Sequence, residues 1–219
     1  WDMSSTKSIC QGCSRGCNIE IWVRNNEILR LTPRYNGDVN SHWMCDDGRL
    51  NTFKFVNEES RIDGPKIRKD GELVNSGWDE IFALTVSELK SFNKDEIAFI
   101  GSSFATCEDN YLLVKLAKQL GVKHLGFPEH IVPGSGDDIL IREDKSPNAT
   151  GASLAGVKPV KGGFSFEGII NGMRSGKMTF HPSMRMRIVH LMPSIQKLIC
   201  VICLSLRRCW GRSWHLFTT

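Results

Sequence analysis

Between Ile19 and Leu31 the chain alternates apolar and polar positions: Ile19-Glu20-Ile21-Trp22-Val23, then Arg24-Asn25-Asn26, then Glu27-Ile28-Leu29-Arg30-Leu31. Successive side chains of a strand point to opposite faces, so this stretch predicts a β-hairpin with one apolar face and an Asn-rich turn. Thr32-Pro33 and Asn36-Gly37-Asp38 break the ladder and open an irregular run to Trp43-Met44-Cys45, with Gly48 read as the residue that relaxes a tight turn after it. Residues 57–76 are polar and turn-rich, and are expected to be a crossing between domains. From Gly77 the apolar period lengthens to three and four: Trp78, Ile81, Phe82, Thr85, Val86 and Leu89 mark a helix, with Ser76 as its cap. Residues 96–101 read as a buried strand and 122–127 as another. The helix expected between them, over 107–120, buries Leu112, Leu113, Leu116 and Leu120, keeps Cys107 as a small buried side chain and stops at Gly121. Helix, strand, helix, strand at this spacing predicts a parallel α/β sheet. A last helix is expected over 163–177, with Phe166, Ile169, Ile170 and Met173 on one face.

Composition changes this picture at one end only. Apolar and charged contents of 41 % and 24 % over 219 residues are those of a globular chain of one or two domains. The net charge of +4 comes from the tail: no Asp or Glu follows Glu167, while eight of the 28 Lys and Arg do. Residues 1–167 therefore carry 20 basic against 24 acidic side chains, so nucleic-acid or anionic-lipid binding is not implied by the patterned part. Trp1-Asp2 opens the chain without a secretory signal. The expectation is a cut into a longer protein, with thiols kept in a reducing cytosol.

Those thiols are the candidate chemistry. Cys10, Cys13, Cys17 and Cys45 have the spacing C-x2-C-x3-C-x27-C. Three thiolates from one short loop and one from a distant element suit an iron–sulfur cube, whose corners are reached from several directions. Zinc prefers two C-x2-C knuckles, and disulfides suit another compartment; both stand as alternatives. Gly12 and Gly16 leave room for amides to aim at sulfur, Arg15 and Lys7 offer compensating charge, and Ile9 and Ile19 flank the loop against water. Further along, Ser102, Ser103 and Thr106 follow a strand end and read as helix caps rather than a cofactor crevice, and Asp137-Asp138 with Glu143-Asp144 read as a solvated acidic loop rather than a cation site. Gly134-Ser135-Gly136 lacks the dinucleotide frame, so no direct NAD binding is expected of this chain.

The loop from Ser8 to Ile19, the hairpin and Cys45-Asp46-Asp47-Gly48-Arg49 resemble the cluster-binding start of the molybdopterin oxidoreductase superfamily. Within it they look most like the large iron–sulfur subunit of bacterial proton-pumping NADH:quinone oxidoreductase (complex I). The likeness extends through Pro133 to Asp138 and Asp144 to Asn148. It implies a [4Fe–4S] cluster on Cys10, Cys13, Cys17 and Cys45, used for electron transfer. It also implies other subunits of such a complex as partners, indirect membrane contact, and a place on the cytoplasmic face of the inner membrane. Catalytic superfamily members carry Lys two residues after the fourth cysteine, where this chain has Asp47, and no H-x-x-R-x-C stretch supplies a molybdenum thiolate. Both departures favour the complex I type over a molybdopterin-dependent formate dehydrogenase. A zinc-stabilised interaction module is the third reading.

The expected architecture is α+β: a small β-rich [4Fe–4S] domain over 1–60, then an incomplete α/β molybdopterin-oxidoreductase-like domain over 61–177. Residues 178–219 form an anomalous basic tail, expected to be translated out of frame. Alone, such a fragment of an oxidoreductase is expected to catalyse nothing.

Overall fold

The computed structural model describes residues 2–58, 64–69, 72–174 and 200–203. The hairpin is present as β2 (Asn18–Arg24) and β3 (Glu27–Pro33), turning through Asn25 and Asn26 at φ 52° and 63°. Both turn residues are left-handed, a conformation Asn tolerates better than most residues and one that matches the twist of the flanking strands. A strand that alternation did not announce precedes them: β1 (Ser4–Ile9) pairs antiparallel with β2, Ser4 opposite Val23 and Ile9 opposite Asn18, giving the order β1-β2-β3. Its sequence is Ser-Ser-Thr-Lys-Ser-Ile and its face is exposed, so the pattern that marks a half-buried strand is missing. Helix α1 (Asp46–Leu50) follows, and Gly48 lies inside it rather than in a turn.

The polar crossing also contains structure. Strands β4 (Lys66–Lys69) and β5 (Glu72–Asn75) pair as a separate antiparallel ladder. Helix α2 (Trp78–Ser91) is capped by Gly77, not Ser76, whose hydroxyl donates to Glu80 instead. On α2 only Ile81 is fully buried.

Behind it, β6 (Ile97–Ile100) is buried along its whole length and runs parallel to β7 (His124–Gly126), joined by α3 (Cys107–Leu120). Thr106 caps α3 by accepting the Asp109 amide while the Asp109 side chain accepts the Thr106 amide, and Gly121 ends the helix at φ 69°. The buried face of α3 is Asn110, Leu113, Val114 and Ala117. Of the four leucines expected inside, Leu112 and Leu120 are exposed, because the apolar stripe is centred one position further along the helix than leucine counting places it. Cys107, expected buried, is exposed at the first turn of α3. Helices α4 (Ala149–Ala155) and α5 (Phe166–Arg174) complete the packing; Ala152 and Val157 enter the core around Phe99, and Ile169 is fully buried. Gly126 lets the first turn of α5 lie directly on β7.

The molecule is thus a mixture of helices and strands, with a β-rich unit before an α/β unit. Of the tail expected to be out of frame, only β8 (Cys200–Cys203) is among the described residues. Its backbone pairs antiparallel with β6, Ile97 opposite Cys203, so the sheet is mixed and ordered β7-β6-β8. The reading of the tail's origin lies outside the described residues. Among those residues no helix is long and apolar enough to cross a membrane.

Candidate metal centre

The cysteine triple is the connection between β1 and β2. The Cys10 amide donates to the Cys17 carbonyl at 2.8 Å, which closes the loop at its base and leaves Cys13 toward its tip. Gly16 takes φ 69° in this bend. Inside the loop the Gly12 amide donates to Cys10 Sγ at 3.4 Å. The fourth cysteine comes from another direction: Cys45 Sγ caps α1, accepting the Gly48 amide at 3.3 Å. A Cβ on Gly48 would stand 3.2 Å from Cys10 Sγ and 3.3 Å from Cys45 Sγ, so glycine there leaves room for sulfurs approaching from two elements.

A residue that spacing did not reveal brings Cys45 to the loop. Asn40 is buried; its carbonyl oxygen accepts the Asn18 amide at 2.9 Å and its side-chain amide donates to Trp43 O at 2.9 Å. Together with Arg34, whose amide donates to Asn18 O at 2.9 Å and whose guanidinium donates to Asn18 Oδ1 at 2.5 Å, Asn40 folds the irregular run after β3 against the start of β2. No sequence rule singles out an Asn in an Asn-rich loop, so only the geometry shows it.

Cys10, Cys13, Cys17 and Cys45 line a single cavity of about 220 Å³. The sulfur donors reach this space from two elements, three from the β1–β2 loop and one from the start of α1, an arrangement that suits a cube approached from several corners. Cys10 and Cys17 pack with Ile19 and Leu31 of the hairpin, while Met44, Phe53 and Leu140 lie against them.

Electrostatics point the same way. Burial pushes the Cys10 thiol up, partly offset by the Gly12 amide. Cys17 is pushed up to about 11, first by burial and then by the neighbouring Cys10, Cys13 and Cys45, with Arg15 opposing. Burial and the neighbouring sulfurs thus disfavour the thiolate at Cys10 and Cys17, and a centre carrying positive charge offsets both effects there.

The other expected residues divide. Ile19 is buried, but Ile9 is 48 % exposed and does not shield the loop. Met44 packs beside the cysteines, whereas Trp43, at 69 % exposure, points away. Arg15 is tied by Nε to Val39 O at 2.8 Å and still acts on Cys17; Lys7 is exposed on β1. Thr106 is a helix cap, and the Ser102 hydroxyl accepts the Phe104 amide. The acidic loop is closed upon itself: Asp137 accepts the amides of Ile139, Leu140 and Ile141, and Glu143 accepts that of Gly134. What spacing missed is that this loop reaches the cysteines. The Ser14 amide donates to Asp144 O at 2.8 Å, and Ser135, Leu140, Ile141 and Lys145 join Asp47 in the cavity wall.

Residues 3–57 match the molybdopterin oxidoreductase Fe4S4 domain, and residues 61–156 match the molybdopterin oxidoreductase domain. The chain thus carries, in succession, matches to an Fe4S4 domain and to a molybdopterin oxidoreductase domain. Its first domain is accordingly a [4Fe–4S] domain, and the cysteine cavity offers the sulfur donors that such a centre needs. Among related proteins, YrhE of Bacillus subtilis, provisionally named a formate dehydrogenase, is 39 % identical over 119 residues, 52 % of this chain and 12 % of its own length. A provisionally named formate dehydrogenase of Staphylococcus aureus is 33 % identical over 122 residues, 54 % of this chain and 12 % of that protein. NADH-quinone oxidoreductase subunit 3 of Thermus thermophilus is 32 % identical over 150 residues, 66 % of this chain and 19 % of the subunit. The chain thus spans less than a fifth of the length of each of these relatives.

Proposed function

We propose that Cys10, Cys13, Cys17 and Cys45 hold the [4Fe–4S] cluster and that the superfamily molecule to which this chain corresponds uses it to pass single electrons. The observation that carries the reading is that four thiols line one cavity, two of their sulfurs already accepting backbone amides. Bound there, the cluster supplies a one-electron couple. The chain's own residues fix four sulfurs, donate hydrogen bonds to them and keep water out through the hairpin core and the 137–145 loop.

The finer reading is a subunit of an NADH:quinone oxidoreductase, with flavin and nicotinamide held by other subunits, membrane contact through them, and a place at the cytoplasmic membrane face. Asp47 supports it. Its carboxylate is held on α1 by the Asn51 side chain at 2.8 Å and lines the cavity where catalytic relatives carry Lys. A negative charge there repels an anionic pterin instead of drawing it in. The match to the Thermus subunit also runs further along this chain than the matches to the two formate dehydrogenases. The second reading, a piece of a molybdopterin-dependent formate dehydrogenase, draws on the higher identity to YrhE.

Anaerobic reconstitution of the chain with iron and sulfide, followed by metal and acid-labile sulfide analysis and EPR after dithionite reduction, tests the cluster reading. Four irons and four sulfides per chain with a reduced-cluster signal are expected. Zinc uptake without sulfide overturns it. Pterin extracted from the full-length protein would decide for the formate dehydrogenase reading.

A further inference from the structure

Two charged side chains line the cysteine cavity, and they come from different units: Asp47 from α1, and Lys145 from the far side of the chain. Lys145 belongs to a segment that folds back on itself. Ile131 bridges Asp144, the Val132 amide donates to Glu143 O at 2.9 Å, and the Lys145 amide donates to His130 O at 2.7 Å. Burial along the segment is one-sided: Ser135, Leu140, Ile141, Asp144 and Lys145 are half-buried, while 131–134 and 136–139 are exposed. The covered side is the one against the cysteines, anchored by the Ser14 to Asp144 hydrogen bond. Lys145 is fixed as well as near, because its Nζ donates to Arg142 O at 2.7 Å and Ser135 O at 3.4 Å. An ammonium that holds one position in a partly dry wall acts on a neighbouring charge far more than a mobile surface lysine does.

We propose that Lys145 is a positioning residue that sets the reduction potential of the centre, with Asp47 opposing it across the same cavity. This rests on the reading that the four cysteines hold the cluster. Reduction adds one negative charge to a centre that is already anionic. An adjacent cation favours the reduced form and raises the potential, and an adjacent carboxylate lowers it. The cysteine spacing does not call for a lysine at this place; its position follows from the 130–146 segment being laid over the loop.

The competing role is mechanical: Nζ staples two limbs of the segment and does nothing to the centre. Lys145→Gln separates the two, since an amide still donates hydrogen bonds toward those carbonyls but carries no charge. The full chain and its Lys145→Gln, Lys145→Arg and Asp47→Asn variants are reconstituted anaerobically. Iron and sulfide per chain are measured first, and the midpoint potential is then taken by EPR-monitored titration with dithionite and mediators. Expected are equal iron and sulfide in all four, a midpoint shifted negative in Lys145→Gln, one near the parent value in Lys145→Arg, and one shifted positive in Asp47→Asn. Full cluster content with an unmoved midpoint in Lys145→Gln overturns the proposal while leaving the cysteine reading intact. If Lys145→Gln fails to retain the cluster, an unmoved midpoint in Asp47→Asn overturns it equally. A parent chain that takes up no sulfide defeats the cysteine reading itself, and this one with it.

Discussion

Cys45 Sγ accepts the Gly48 amide at the start of α1 and also faces the cavity, so one atom serves both helix and centre. Serine is a better helix cap than cysteine and a poor ligand for iron. Cys45→Ser is therefore expected to keep the fold, read as unchanged far-UV circular dichroism and thermal midpoint of the apo chain, and to lose most of the iron and sulfide on reconstitution. Gly48 next to it shows how far spacing alone reaches. A glycine after a cysteine suggests a turn, yet here it is helical and excludes a Cβ that would press on two sulfurs. The sequence states which residue is small; only packing states what it makes room for.

Among the elements, those with regular period were legible and those without were not. The β2–β3 hairpin, the buried strand β6 and the span of α3 with its Gly121 stop, though not its buried face, follow from alternation, apolar runs and caps. Strand β1 is polar and edge-lying, β4 and β5 sit in a charged stretch, and α4 is a short run of small residues, so none has the signature that burial writes into a sequence. His124 in β7 illustrates a further kind of information that sequence withholds. Its Nδ1 accepts the Phe164 amide at 3.0 Å, its Nε2 faces Asp95 O at 3.3 Å, and its ring stacks on Phe164. The first contact fixes the neutral tautomer with the proton on Nε2. Burial holds its pKa below the ordinary 6.5. The unfolded chain thus binds a proton near 6.5 that the folded chain does not. The stability gained from the neutral ring is complete above that pH and erodes as pH falls toward the lower folded value. Urea titrations between about pH 7.5 and 5 should show stability declining, and His124→Asn, which retains an acceptor for Phe164, should flatten that decline.

At the scale of the molecule, the grouping of the four cysteines was legible and its surroundings were not. Four thiols and a hairpin floor can be counted from spacing, but the wall contributed by Ser135, Leu140, Ile141 and Lys145 lies about a hundred positions away and depends on how the second unit folds back. Asp137 controls that wall. By accepting three amides it fixes the turn that carries Leu140 onto the cysteine core, and those amides hold its carboxyl below the usual range. Asp137→Ala should leave initial iron and sulfide content near that of the parent and increase the rate at which absorbance of the cluster is bleached in air. An unchanged bleaching rate would show that the loop does not shield the centre.

The Ser14 to Asp144 hydrogen bond joins residues 130 positions apart in the chain, which gives the two halves of the site different birthdays. On a ribosome adding roughly 5–20 residues per second, Cys45 is made about 100 residues before Lys145, an interval of roughly 5–20 s. Throughout it the thiols have their floor but not their roof. They are most open to a cluster donor in that interval and equally open to oxidants, and the later arrival of the second unit narrows the approach for both.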